Sequence, residues 1–74
     1  MDINDRVLLL AVLKKKADEN LKDVLMMLEN ARVFTLKEGK RRLKELKNSG
    51  YIANGDLTLK GESLAKEIEQ EFKL

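Results

Sequence analysis

The stretch Thr35–Asn48 constrains this chain most, because it carries a helix start, a helix end and one narrow apolar stripe. Thr35, followed three residues later by Glu38, predicts a capping box at the start. Gly50, two residues beyond Asn48, predicts the end, since glycine tolerates the positive φ that closes many helices. The stripe recurs at spacings of three and four, which place its members on one helix face: Leu36, Gly39, Leu43 and Leu46.

The opposite face of this helix is mostly cationic. Its outward positions are Lys37, Arg41, Lys44, Glu45 and Asn48, with Lys40 at the border. The segment 32–48 holds seven basic and two acidic residues, a charge of +5, although the whole chain is only +2. Such an uneven distribution favours binding to a polyanion. The alternative is a solvated helix surface with no partner.

Composition argues against catalysis and against a metal or cofactor. The 74 residues contain no histidine and no cysteine, which removes the commonest general base and the commonest metal ligands. No glycine-rich phosphate loop or metal-ligand spacing is present. We therefore expect one domain over residues 1–74 that is not an enzyme, binds no cofactor or metal, and has no evident small-molecule substrate.

The first predicted helix starts after Asp2 or Asn4 and runs to about Ala17. Its run Val7–Leu13 is apolar around the whole cylinder, which indicates a helix covered on every side. Either it is the central helix of the domain, or a second copy of the chain covers one side and makes a homodimer. Seven apolar residues fall far short of the roughly 20 that span a bilayer, so we expect a soluble, cytoplasmic protein without a membrane segment.

A second helix is predicted from the Asn20 cap to Glu29–Ala31. Its buried face has helical spacing: Leu21, Val24, Leu25 and Leu28. Met26 and Met27 widen that face, either as core-filling residues or as an adaptable binding surface. The connector Ala31–Phe34 leads into the basic helix, where Gly39 on the apolar stripe predicts a close helix crossing.

The pattern changes after Gly50. Asn54-Gly55 between two short apolar-containing runs predicts a β-hairpin in which Ile52 faces Leu57 and Ala53 faces Asp56. Thr58 then caps a last helix from Leu59 to about Lys73. Its predicted inward residues are Leu64, Ala65, Ile68 and Phe72. Its predicted acidic outer face holds Glu62, Glu67, Glu69 and Glu71, which serves either solubility or a partner.

Two strings in this order of elements resemble the winged helix-turn-helix family of DNA-binding domains. The first is Leu-Lys-Glu-Leu-Lys-Asn-Ser-Gly-Tyr-Ile over residues 43–52, and the second is Leu-Thr-Leu-Lys-Gly-Glu over residues 57–62. The resemblance covers essentially the whole chain. It implies a mainly α fold with a short β-hairpin (α+β), in the order helix-helix-helix-hairpin-helix.

The resemblance also implies a site and a function. The family's recognition helix matches Thr35–Asn48 and its wing tip matches the Asn54-Gly55 turn. The expected partner is therefore double-stranded DNA, bound either sequence-specifically or generally, and the expected role is a small transcriptional regulator. The implied DNA-binding residues are Thr35, Lys37, Lys40, Arg41, Lys44, Asn54 and Gly55. Arg41 would read guanine, and the lysines would hold phosphates. Five or six such contacts would give a log-log salt slope of about −5.

The wing departs from the family pattern, because it is short and carries Asp56 but no basic residue. This departure, together with the acidic last helix and the apolar surplus of the first, supports an alternative. In that alternative the chain is a winged-helix protein–protein interaction module that does not bind DNA.

Overall fold

The computed structural model describes residues 1–72, which form four helices and one antiparallel hairpin. The elements are α1 (Ile3–Lys14), α2 (Leu21–Asn30), α3 (Leu36–Asn48), β1 (Ile52–Ala53), β2 (Asp56–Leu57) and α4 (Leu59–Phe72). The predicted mainly helical domain with a hairpin before its last helix is therefore confirmed. The predicted extension of α4 to Lys73 lies outside the described residues.

The first helix, α1, lies at the centre of the domain and packs on α2, α3, α4 and β2. Leu8, Leu9 and Val12 are at most 1% exposed, which confirms α1 as the central helix. It ends at Lys14, three residues before the predicted Ala17. The reason is local: Lys15 turns to an extended conformation with ψ 150°, which interrupts the helix.

The predicted Asn20 cap of the second helix is confirmed, and it forms part of a capping box that was not predicted from the sequence. The Asn20 side chain accepts from the Asp23 N–H, and the Asp23 carboxylate accepts from the Asn20 N–H. All four predicted apolar positions of α2 are buried. The core-filling interpretation of Met26 and Met27 is wrong, because the two residues are 46% and 49% exposed. At about 100° per residue they lie on either side of the buried arc rather than within it.

The turn after α2 is a Schellman motif with a non-glycine residue in the left-handed position. The Val33 N–H donates to the Leu28 carbonyl at 3.0 Å, and the Arg32 N–H donates to the Glu29 carbonyl at 2.9 Å. Arg32 has φ 61°, a region in which an L side chain is disfavoured. The sequence did not predict this conformation, since arginine is not a turn signal.

The third helix ends in the same motif, here with the expected glycine. The Tyr51 N–H donates to the Leu46 carbonyl at 3.0 Å, and the Gly50 N–H donates to the Lys47 carbonyl at 3.1 Å. Gly50 has φ 83°, as its position after Asn48 predicted.

The predicted close crossing at Gly39 is confirmed where α3 meets α2. A Cβ at this buried glycine would lie 2.7 Å from Phe34 Cε1 and 2.9 Å from Leu25 Cδ2. Both distances are well below van der Waals contact, so the two helices approach at a position without a side chain.

The hairpin has the predicted register, with Ile52 opposite Leu57 and Ala53 opposite Asp56. Asn54 and Gly55 have φ of 53° and 79°, the two positive values that a type I′ turn requires. Ile52 is 2% exposed, so it attaches the hairpin to the helical core.

The last helix is fixed to the hairpin through Thr58 and Gly61. Thr58 Oγ1 accepts from the Gly61 N–H at 3.0 Å and donates to the Gly50 carbonyl at 2.6 Å. A Cβ at Gly61 would lie 2.0 Å from the Tyr51 carbonyl oxygen, which leaves room only for glycine. The predicted Thr58 cap is confirmed, and the steric reason for Gly61 is new.

Two predictions for the faces of α4 need correction. Ala65 and Ile68 are buried as predicted, but Phe72 is 42% exposed because it lies in the last described turn of the helix. Glu69 and Glu71 do not form a free acidic face. They make ion pairs with Lys14 and Arg6 of α1, against which α4 packs.

Candidate nucleic-acid interface

Thr35 caps α3, but only one of the two hydrogen bonds of the predicted capping box is formed. Its hydroxyl accepts from the Glu38 N–H at 3.2 Å. The Glu38 carboxylate does not return to the cap but binds arginine side chains of the same helix. The first N–H of α3, on Leu36, instead donates to Glu29 Oε2 at 2.7 Å. The start of α3 is thus tied to the end of α2.

Four lysines form one exposed face of α3, which we call the lysine face. It consists of Lys37, Lys40, Lys44 and Lys47. At about 100° per residue these positions span an arc of roughly 80°. All four are exposed, and none of them makes an ion pair with any residue in 1–72. They present four ammonium groups to solvent on one side of one helix.

Arg41 is exposed but is held by carboxylates on both sides. Its Nη2 and Nε donate to the Glu38 carboxylate at 2.5 and 3.2 Å, and its Nη1 donates to Glu45 Oε1 at 3.2 Å. The hydrogen bonds from Arg41 lower the pKa of Glu38 below its ordinary value, so this carboxylate stays ionised. The arginine fork that the sequence assigned to guanine is therefore occupied within the domain itself.

Arg42 contributes to the +5 charge of segment 32–48, but its side chain points inward and the residue is only 9% exposed. Its guanidinium lies 3.0 Å from Asp5 Oδ1, 3.5 Å from Asp2 Oδ2 and 2.9 Å from Glu38 Oε1. The Arg42 Nε is buried without a hydrogen-bond partner. Its spacing of three from Gly39 and four from Leu46 is a signal that would have placed it on the buried side.

The Asp2 carboxylate joins this cluster while it caps α1. It accepts from the Asn4 N–H at 2.8 Å, and this bond, aided by the charge of Arg42, lowers the pKa of Asp2 below its ordinary value. With Asp2 and Asp5 added, the local charge around the basic segment falls from +5 to +3. The cations of the segment that stay unpaired within residues 1–72 are the four lysines of the lysine face and Arg32, which precedes α3.

The hairpin turn contributes no cation. Asn54 and Gly55 are exposed at its tip, and the neighbouring Asp56 carboxylate lies 3.9 Å from Lys15 Nζ.

Sequence reasoning missed one cation of α4, Lys60, which lies next to the C-terminal end of α3. Lys60 Nζ donates to the Ser49 carbonyl at 3.0 Å and lies 4.5 Å from the centroid of the Tyr51 ring.

The rest of the described structure offers little else in the way of sites. Within residues 1–72, no group of three acidic side chains is placed to hold a metal ion. None of the helices in that range has the length and apolar character needed to cross a membrane. Comparison with protein-family models, with curated proteins and with solved structures found no match to this chain. The geometry of α3 is therefore the basis on which a function can be proposed.

Proposed function

We propose that this chain binds double-stranded DNA through phosphate contacts made by the lysine face of α3. The observation that carries the proposal is that Lys37, Lys40, Lys44 and Lys47 are all exposed on one side of a helix and unpaired within residues 1–72. Four ammonium groups on one side of one helix attract a polyanion more strongly than the same charges dispersed over the surface would.

The order of the elements supports the same proposal. Three helices, a hairpin and a fourth helix follow the winged helix-turn-helix arrangement, in which α3 would enter the major groove. Thr35 would then lie near a phosphate at the start of α3, and the turn Asn54-Gly55 would approach the backbone without a charge. In this proposal the chain acts as a small transcriptional regulator, and partly exposed residues on α1 such as Leu10 and Leu13 would support a homodimer.

In the structure, fewer cations are available for phosphate contacts than the sequence indicated, so the expected electrostatic contribution to DNA binding is smaller. Arg41 and Arg42 are compensated by carboxylates, so the cations of α3 that remain available for phosphate contacts are its four lysines. With about 0.9 counterions released per phosphate contact, four contacts give a log-log salt slope of about −3.6. Affinity should then fall roughly 150-fold between 50 and 200 mM salt.

The test is a fluorescence-anisotropy titration of a labelled duplex at several salt concentrations. Lys40→Glu/Lys44→Glu should abolish most of the binding, because it reverses two charges of the lysine face. Lys16→Glu/Lys66→Glu is the matched control, since it makes the same net charge change at exposed positions outside α3. If the two variants weaken binding equally, or if no duplex binds in a salt-dependent manner, the proposal fails.

A protein-interaction module remains the second candidate, and the exposure of Met26 and Met27 on α2 is the observation that favours it. Adjacent exposed methionines provide an adaptable apolar surface. A stable partner whose binding is lost in Met26→Ser/Met27→Ser but is unchanged in Lys37→Glu/Arg41→Glu would favour this function over DNA binding.

A further inference from the structure

The exposed surface of α3 carries few unpaired side chains of the types that read DNA bases. Arginine, asparagine and glutamine present planar groups that match base edges bidentately, whereas the lysine ammonium is a point charge suited to phosphates. The helix contains two arginines, Arg41 and Arg42, and its one amide is Asn48 at the last helical position. Bidentate base readout through a planar side chain of α3 would therefore have to come from the arginines.

Neither arginine is free to do so. Arg42 is buried and lies against three carboxylates, so its fork cannot reach DNA while the domain is folded. Arg41 is exposed but is bound by Glu38 one turn before it and by Glu45 one turn after it. Ion pairs therefore hold the Arg41 guanidinium from both directions along the helix.

Releasing Arg41 toward a guanine would also be unfavourable for the carboxylates. Glu38 would keep its contact with Arg42, but Glu45 would lose the one ion-pair partner it has among residues 1–72. An unpaired carboxylate beside the phosphate backbone is repelled by it. A single exposed ion pair contributes little. Here the two ion pairs of Arg41 and the repulsion between Glu45 and the phosphates act together to keep Arg41 on its glutamates.

On the basis of the proposed function, we propose that the domain binds duplex DNA without reading its base sequence, and that Glu38 and Glu45 suppress guanine readout by Arg41. Glu38 and Glu45 are specificity-determining residues in this proposal, although they contact no base. The ligand class is therefore any B-form duplex, recognised by its phosphates.

The first experiment measures sequence preference directly. The wild-type chain is used to select from a duplex pool with a randomised centre, and bound DNA is sequenced after several rounds. We expect no enriched motif, and affinities for one GC-rich and one AT-rich duplex of equal length that agree to within about threefold, since phosphate contacts are the same in both. An enriched motif, or a preference beyond about tenfold, overturns the inference but leaves DNA binding intact.

The second experiment releases Arg41. Glu38→Gln/Glu45→Gln should steepen the salt slope by about 0.9 and create a preference for guanine-containing duplexes of roughly 5- to 150-fold, the range of a bidentate arginine contact. Adding Arg41→Ala to that variant should remove the preference. Glu62→Gln/Glu67→Gln on α4 is the matched control, because it neutralises two carboxylates outside α3.

The outcomes separate the two proposals. If no duplex binds to any of these proteins, the proposed function and this inference both fail. If wild type binds but the released variant gains no preference, the role of the two carboxylates is wrong. Circular dichroism confirms that each variant is folded, and Glu45→Gln alone, which leaves all contacts of Arg42 in place, repeats the test with the smallest structural change.

Discussion

Arg32→Gly should stabilise this domain, because the chain contains the same helix-ending motif twice with different residues at its critical position. Gly50 fills that position after α3 with φ 83°, and Arg32 fills it after α2 with φ 61°. The Arg32 side chain is exposed and makes no ion pair with any residue in 1–72. Replacing it removes backbone strain without removing a contact.

The magnitude follows from two opposing terms. A left-handed conformation costs an L residue roughly 1–2 kcal/mol. Glycine gives back about 0.5–1 kcal/mol, because it loses more backbone entropy on folding. The net gain for Arg32→Gly is therefore about 0–1.5 kcal/mol, and its central value of about 0.75 kcal/mol corresponds to roughly 3–6 °C in the melting temperature of a chain of this size.

Thermal and urea unfolding followed by circular dichroism will measure the change. The reciprocal variant, Gly50→Arg, should lower stability by a similar amount, since nothing lies within 4 Å of a Cβ at that glycine and the cost is conformational alone. Arg32→Ala removes the same charge but keeps the strain, so its stability should stay near wild type. Equal stabilisation by Arg32→Ala and Arg32→Gly would refute the strain argument and implicate charge.

Two further predictions concern the joint between hairpin and α4 and the acid sensitivity of α3. Gly61→Ala should destabilise the domain by about 2 kcal/mol or more, because its Cβ would overlap the Tyr51 carbonyl oxygen. The control is Ser63→Ala on the exposed side of α4, which should change stability by less than about 0.5 kcal/mol in the same urea titration. The pKa of Glu38 is lowered in the folded state by its hydrogen bonds to Arg41, so its contribution is present above the ordinary carboxylate range, about 4 to 4.5, and is lost as pH falls through its lower folded value. Melting temperatures from pH 7 to pH 2.5 should thus fall less steeply in Glu38→Gln than in wild type or in the exposed control Glu67→Gln, and parallel curves would contradict this assignment.

The parts of the fold that the sequence predicted are those encoded by neighbouring residues. The Asn20 cap and the positive φ of Gly50 each depend on residues within a few positions. The hairpin at Asn54-Gly55 is of the same kind, and even its register was predictable. The close helix crossing at Gly39 was predictable because a glycine on the apolar stripe of a helix indicates that another element packs closely there.

The errors arose where tertiary contacts decide the outcome. Met26 and Met27 have core-like side chains, but the arc that α2 buries is too narrow to include them. Phe72 is apolar, but it lies at the end of α4, where it is 42% exposed. Arg42 was counted in the charge of the basic segment without being assigned to either face, although its spacing from Leu46 puts it on the inner face. Its carboxylate partners on α1 lie 37 and 40 residues away, so no local pattern could identify them.

The Arg42 cluster also determines how far charge counted along the sequence can be used to argue function. Asp5 and Asp2 belong to α1 and its cap, yet they compensate a cation of α3 because the two helices pack together. The same side chain, Asp2, caps α1 and binds Arg42, so the start of the central helix and the orientation of α3 are stabilised together. The cations of α3 thus divide by mechanism: its arginines join it to the domain or to its own glutamates, and its lysines alone are available to a polyanion.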